Sequence, residues 1–415
     1  MVSAVASSQL VRELLAGEGV RRAFRFFETR AAEFTEEQAR LCAIPAPPFG
    51  ERERAEYLRE RFERCGLVEA SIDEEGNCVA LRRGRSLHPL MVVSAHLDTV
   101  FPADTDFTVR REGGRMLAPG IADDGCGLAA LVALVRALEE LRIETEGSLL
   151  FVGTVGEEGE GNLRGARYLL SGGEWAKEID AFVSLDGPGI ERITHAALGS
   201  RRYRVRFRGS GGHSWGDFGA ANPVHALGRA VARLAAYPAP SVPRTTFNVG
   251  RIEGGAGVNV ISREATMDVD LRSEAAEELA RLDAFFRRAV REAADDENAA
   301  RRTGLPPLEL DVKLIGDRPS GETSTSAPLV RLAEEATRAF GYRPRLDCSS
   351  TDSNVAISLG LPAVTLGAGG SSGHSHTLDE WYDPRGRDLG LKRALVVMLG
   401  TVGLRRNGNA SGSDV

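Results

Sequence analysis

Apolar runs of strand length, alternating with amphipathic stretches of helix length, constrain this chain more than any other feature of it. Residues 90–94 (LMVVS), 148–155 (SLLFVGTV) and 181–185 (AFVSL) place hydrophobic side chains at successive positions rather than at every second one. Strands of that kind are covered on both faces. Residues 78–81 form a shorter run of the same type. Residues 24–41, 51–65 and 128–141 read as helices, with the breaking segment IPAPPFG between the first two. In the second, Tyr57, Leu58 and Phe62 share a face; in the third, Leu128, Leu131, Leu134, Val135 and Leu138 follow helical spacing. Strands alternating with helices predict an α/β fold, a mixed sheet flanked by helices.

The texture changes at residue 193. Residues 203–207, 245–252, 265–271 and 308–315 alternate apolar and polar, as strands with one buried face do. Helices are expected over 223–237, with Pro223 in the first turn, and over 274–300, rich in alanine and charge. Strand, helix, two strands, helix, strand is the split βαβ, ferredoxin-like arrangement of a small α+β domain. After Pro319 the α/β texture returns, with helices over 327–340 and 390–402 and a strand over 362–366. The expected organisation is one α/β domain, residues 1–192 and 319–415, interrupted by an inserted domain, residues 193–318.

The formal net charge of −7 excludes the basic excess of a nucleic-acid binder. Cys42, Cys65, Cys78, Cys126 and Cys348 are odd in number, widely spaced and without a CxxC pair. That argues for a reducing, cytoplasmic compartment. The first twenty residues contain Arg12, Glu13 and Glu18 and do not read as a secretion signal. The apolar run at 395–404 is too short to span a bilayer, so no membrane partner is expected. The sequon at Asn409 carries no meaning in a chain that is not secreted.

The chemistry lies where the strands end. Residues 90–95 are followed by His96 and Asp98, residues 149–155 by Glu157 and Glu158, and residues 182–185 by Asp186. Asp123 and Asp124 precede a helix, and residues 364–366 lead through a Gly/Ser loop to His374 and His376. Carboxyl ends of strands form the functional edge of an open α/β sheet. Singly, each residue has a plainer reading: Asp123 or Asp124 as a helix cap, Glu157 and Glu158 as a solvated pair, His96 as a hydrogen-bonded histidine. Together, two histidines and several carboxylates form a nitrogen and oxygen donor set suited to Zn²⁺, Mn²⁺ or Co²⁺. Adjacent residues of an extended chain point to opposite sides, so one of Glu157 and Glu158 is expected to ligate while the other serves as a general base. Asp98, two residues after His96, is expected to orient the imidazole.

Two weaker matches are set aside. Residues 125–130 fit G-x-G-x-x-A but do not directly follow a strand, and 369–373 fit G-x-S-x-G with no helix after Ser371. Cys126 reads as a small buried residue at a helix start.

In order, the chain carries SAHLDTV (94–100), GIADDGCG (120–127), GEEGEGNLRGARYL (156–169), GSGGHSWG (209–216), GGAGVNVIS (254–262), DVDLRS (268–273), STDSNVA (350–356) and HTLDEWYDP (376–384). This ordered set resembles the two-zinc exopeptidase and deacylase family of peptidase T, carboxypeptidase G, aminoacylase, acetylornithine deacetylase and succinyl-diaminopimelate desuccinylase. The resemblance implies that His96 and Asp186 hold one zinc, Glu158 and His376 the other, and that Asp123 bridges them. It implies that Asp98 supports His96 and that Glu157 is the base, passing the proton of water to the leaving amine. His213 corresponds to a histidine that stabilises the oxyanion in a neighbouring subunit's site; alone it reads as a turn histidine. Asn259 and Arg272 match substrate-contacting positions, the latter also readable as a surface strand arginine. His376, and not His374, stands four residues before a glutamate, Glu380, as the family's ligand does.

The implied function is hydrolysis of a terminal amide bond of a small peptide by two zinc ions, with cobalt or manganese as alternatives. The HTLDEWYD segment and the Glu157-Glu158 pair look closest to peptidase T-like aminopeptidases. An N-acyl-amino-acid deacylase is the second reading, and a non-catalytic peptide-binding relative the third. The inserted domain is expected to act as lid and as the surface of a homodimer.

Overall fold

The computed structural model describes residues 4–302 and 304–405. The chain divides into two compact units, Met1–Ala196 with Glu322–Val415, and Ala197–Gly321. In the first, a mixed sheet runs in the order Cys78–Arg82, Ser148–Thr154, Leu90–His96, Ile179–Leu185, Ala363–Leu366, Arg192–Ala197. The four middle strands are parallel; the outer two pair antiparallel to them. Every residue of Leu90–His96 and Ser148–Thr154 is buried, as their continuous apolar pattern requires. The helix Gly125–Glu140 is buried nearly all round, so it is a core helix. The expected helices and strands appear with ends shifted by a few residues, with one exception. Residues 24–41 form parts of two helices, Glu18–Thr29 and Ala31–Cys42, broken at Arg30 (φ −107°, ψ 15°). No glycine or proline marks the break. It lets Phe34 pack against Phe26 and Phe27, at ring-centroid separations of 6.0 and 6.5 Å.

The second unit has a four-stranded antiparallel sheet in the order Thr245–Gly254, Glu264–Ser273, Gly199–Arg208, Glu309–Arg318. Tyr203, Val205 and Phe207 alternate inward and join Met267, Val269 and Leu271 in a core with the helices Pro223–Ala235 and Ala276–Ala300. This is the split βαβ order. The texture change at Ile193 falls within the strand Arg192–Ala197: Ile193 is buried in the first unit's core and pairs with Leu366. The units therefore divide at Ala197 and Gly321 rather than at 193 and 318.

A small sheet in the first unit joins segments far apart in sequence. Its order is Ser371–Gly373, Trp381–Asp383, Arg115–Leu117, Arg110–Glu112, and Trp381 pairs with Leu117. Among the described residues no helix is long and apolar enough to cross a membrane. The sequon at Asn409 lies outside the described residues.

Candidate metal centre and active site

Parallel strands bring their carboxyl ends to one edge, and that edge collects the acidic and histidine side chains. His96 ends the strand Leu90–His96 and lies opposite Thr154, three residues before Glu157. Asp186 follows Ile179–Leu185 on the other side. Asp123 stands before the helix Gly125–Glu140, and His376 lies between the small-sheet strands Ser371–Gly373 and Trp381–Asp383.

Asp123 is the centre. Its Oδ1 is 2.9 Å from His96 Nε2, and its Oδ2 is 3.0 Å from His376 Nε2. His376 Nε2 is also 2.9 Å from Glu158 Oε1. Two donor groups result, His96–Asp123–Asp186 and Asp123–Glu158–His376, each with its ligand atoms within 4.8 Å of one another. His96–Glu157–Glu158 forms an overlapping third. His96 is buried and His376 is half exposed, so the cluster opens toward solvent on the His376 side.

The cluster concentrates negative charge. Desolvation, followed by the neighbouring Asp123 carboxylate, pushes Asp186 up to about 7. Hydrogen bonds with Asp123 and Glu158 raise the His376 imidazole to about 10. Burial opposes ionisation of Asp123, yet the His376 and His96 imidazoles hold its carboxyl below the usual range. Imidazole nitrogens and carboxylate oxygens in two groups that share one carboxylate fit a pair of borderline divalent cations.

The neighbouring acids hold main chain. The His96 Nδ1–H donates to the carbonyl oxygen of Asp98 at 2.9 Å, while the Asp98 carboxylate stands 3.6 Å away. That carboxylate instead accepts the N–H groups of Glu157 (2.9 Å) and Glu158 (2.8 Å). Asp98 thus orients His96 chiefly through its backbone. Asp124 is the helix cap, accepting from Gly127 N, and it also accepts from Gly187 N and His96 N. Glu157 and Glu158 are both buried, not a solvated pair. Nor do they point to opposite sides of a strand. The strand ends at Thr154, and Gly156 (φ 65°) turns the chain, so both carboxylates come near His96. Glu158 reaches His376 as well. His374 belongs to none of the donor groups; its carbonyl accepts from Thr377.

His213, Asn259 and Arg272 belong to the second unit. His213 pairs with Val260, and Ser214 N donates to the Asn259 carbonyl, so two distant motifs meet in one exposed loop pair. His213 Nδ1 accepts from Trp215 N (3.1 Å) and Gly216 N (3.3 Å), the setting of a turn histidine. Arg272 pairs with Asp270 along its strand at 2.6 Å.

The sequence profile described as "Peptidase family M20/M25/M40" matches residues 92–398. The chain belongs to this peptidase family. A succinyl-diaminopimelate desuccinylase of Corynebacterium glutamicum is 26% identical over 357 residues, covering 82% of this chain and 89% of the relative. The aminopeptidase PepT of Bacillus cereus shares the fold, with TM-score 0.71 and 21% identity over 89% of this chain and 98% of that one. So does the YXEP protein of Bacillus subtilis, a dinuclear metal binding peptidase from the M20 family, with TM-score 0.66 and 17% identity over 90% and 99%. The M20 protein described here is a hydrolase of amide bonds, and its His/Asp/Glu cluster is compatible with the dinuclear site of that family.

Two residues of this M20 site escape a reading of local sequence. Arg54 is fully buried and donates to the carbonyls of Leu97 (2.7 Å) and Ile44 (3.0 Å), anchoring the turn after His96. Its signal is its place on the apolar stripe with Leu58 and Phe62. Glu380, legible in sequence only by its spacing from His376, is fully buried and accepts the N–H of Asp123.

Proposed function

We propose that this M20 protein is a cytoplasmic, dinuclear zinc-dependent exopeptidase that hydrolyses a terminal amide bond of di- and tripeptides. The observation that carries this reading is Asp123, whose two oxygens face His96 and His376 separately. His96, Asp123 and Asp186 would hold one ion, and Asp123, Glu158 and His376 the other. Ions bound there supply Lewis-acid polarisation of the scissile carbonyl and a lower pKa for the attacking water. Cobalt or manganese suits the same donors.

Glu157 takes a proton from water as the water attacks, and returns it to the leaving amine. Asp98 fixes the backbone of Glu157 for this task. His213 donates to the oxyanion in a neighbouring chain's site, so the working form is a homodimer built through the inserted unit. Asn259 and Arg272 contact the substrate, Arg272 meeting a carboxylate bidentately. That same unit closes as a lid and excludes water.

The desuccinylase relative favours a second reading, an N-acyl-amino-acid deacylase. A panel of dipeptides, tripeptides and N-acyl amino acids, assayed with Zn²⁺, Co²⁺ or Mn²⁺, separates the two. Release of terminal residues from the short peptides supports the exopeptidase. Turnover confined to the acyl amino acids overturns it in favour of the deacylase. For the shared site, mixed dimers of His213→Ala and Glu157→Gln chains are expected to regain part of the activity that each lacks alone. No recovery in verified mixed dimers refutes the shared site.

A further inference from the structure

We propose that Glu380 is a positioning residue: it locks the loop that carries His376 to the loop that carries Asp123, and so sets how two donors of the metal centre meet. The proposal rests on the metal-centre reading above. Glu380 is fully buried, at 0% exposure. Its Oε1 accepts the N–H groups of Ala122 (2.8 Å) and Asp123 (3.0 Å), and its Oε2 accepts that of Gly120 (3.2 Å). Its backbone joins the same grip. The Glu380 carbonyl accepts from Ala118 N at 3.1 Å, and its own N–H donates to the Thr377 carbonyl at 3.2 Å. The next residue, Trp381, pairs with Leu117 in the small sheet. Side chain and main chain of one residue therefore seize the segment 118–123, while His376 sits four residues upstream on the same loop.

That loop needs an external hold. His374 and His376 both lie in the left-handed region, at φ 60° and 64°, an uncommon conformation for residues other than glycine. Around them the Thr377 hydroxyl and N–H donate to the His374 carbonyl, in a turn that is local and exposed to solvent. Glu380 ties this turn to the buried edge. The same device recurs in the other ligand-bearing loops: the Asp98 carboxylate holds the amides of Glu157 and Glu158, and the Asp124 carboxylate holds those of His96 and Gly187. Three buried carboxylates thus act on the main chain that presents the ligand side chains. Only a carboxylate of this length accepts all three N–H groups. The glutamine isostere keeps one oxygen for Ala122 and Asp123 but turns an NH₂ toward the Gly120 N–H; aspartate is one methylene too short to reach.

The test compares the full-length wild type with Glu380→Gln and Glu380→Asp. Amide hydrogen exchange in peptides covering 118–123 is read on the metal-free proteins, cobalt titration with its d–d absorption on the reconstituted ones, and kcat and KM on the loaded ones. Local exchange is expected to rise in Glu380→Gln and more in Glu380→Asp, with the rest of the chain unchanged. Outer partners of metal ligands typically govern affinity or activity on the order of 10–100-fold. Cobalt affinity and kcat should fall toward the lower figure in Glu380→Gln and the upper in Glu380→Asp, with an altered cobalt spectrum and KM within about twofold. Wild-type cobalt affinity, spectrum and kcat in both variants overturn the proposal. So does a chain-wide rise in exchange with an unchanged spectrum, which marks a merely structural residue. If Glu380→Asp does not fold, Glu380→Gln decides. Failure of the wild type to bind cobalt refutes the metal-centre reading instead, and local exchange at 118–123 still decides whether Glu380 is the clamp.

Discussion

Asp98 Oδ2 receives the main-chain N–H of Glu158 at 2.8 Å, and its Oδ1 receives that of Glu157 at 2.9 Å. One buried carboxylate therefore places both glutamates, the proposed ligand and the proposed base. Asp98→Asn keeps one acceptor oxygen and sets an NH₂ against the second amide. Its kcat is expected to fall on the order of 10–100-fold, with an unchanged far-UV circular dichroism spectrum. A wild-type kcat in a folded Asp98→Asn protein refutes the assignment.

Glu157 lies within 4.8 Å of His96 and Glu158 through its carboxylate, while Glu158 Oε1 is 2.9 Å from His376 Nε2. Glu157→Gln should retain about two ions per chain by elemental analysis. Its kcat should drop on the order of 10²–10⁴-fold, the contribution of a general base. Loss of metal in this variant would reassign Glu157 as a ligand.

Removing the metal should abolish turnover and lower the melting temperature. A ligand present at one hundred times its dissociation constant stabilises by about 2.7 kcal/mol, and each of two independent ions adds its own term. Differential scanning calorimetry before and after chelation, and again after adding back zinc, cobalt or manganese, measures this. Equal melting temperatures with and without metal contradict a site built from these five residues.

Phe151 is fully buried in the strand Ser148–Thr154 and packs against Phe62 at a centroid separation of 6.2 Å. Phe151→Ala should cost about 3–5 kcal/mol in denaturant unfolding by leaving a cavity in the core. A loss under 1 kcal/mol would mean that the helix Arg52–Arg64 does not pack on this strand as described.

His88 sits 2.7 Å from Asp180 and 3.2 Å from Glu178. The Asp180 hydrogen bond is the main cause that raises its pKa above the ordinary value. A raised histidine adds stability below its unfolded pKa of about 6.5 and loses it as pH climbs through the folded value. The melting-temperature deficit of His88→Ala should be larger at pH 5 than at pH 9, and small at both because the pair is exposed. A larger deficit at pH 9 reverses the sign and refutes the pairing.

Much of this protein is written locally. The apolar runs at 90–94, 148–155 and 181–185 determine buried strands, because covering both faces is the only way to remove such a sequence from water. The alternation over 203–207 and 265–271 determines a half-buried sheet, and strand order plus helix spacing determines the split βαβ unit. The residues that end or closely follow the strands, His96, Glu157, Glu158 and Asp186, are equally visible, since period and position need only a dozen neighbours. The break at Arg30 is not visible: nothing in its own residues interrupts the helix, and only packing of Phe34 on Phe26 and Phe27 decides it.

The ordered motifs already imply Asp123 as the shared acid of its pair; tertiary structure decided that its two oxygens face His96 and His376 while Asp124 caps the helix. It moved the Asp98 carboxylate from His96 to two backbone amides. It also set His376 against Asp123, 253 residues away, through the pairing of Trp381 with Leu117 and the buried reach of Glu380. Residue type and spacing are local and legible in one dimension. Which oxygen meets which nitrogen depends on strand register and long-range pairing, and those exist only once the whole core has formed.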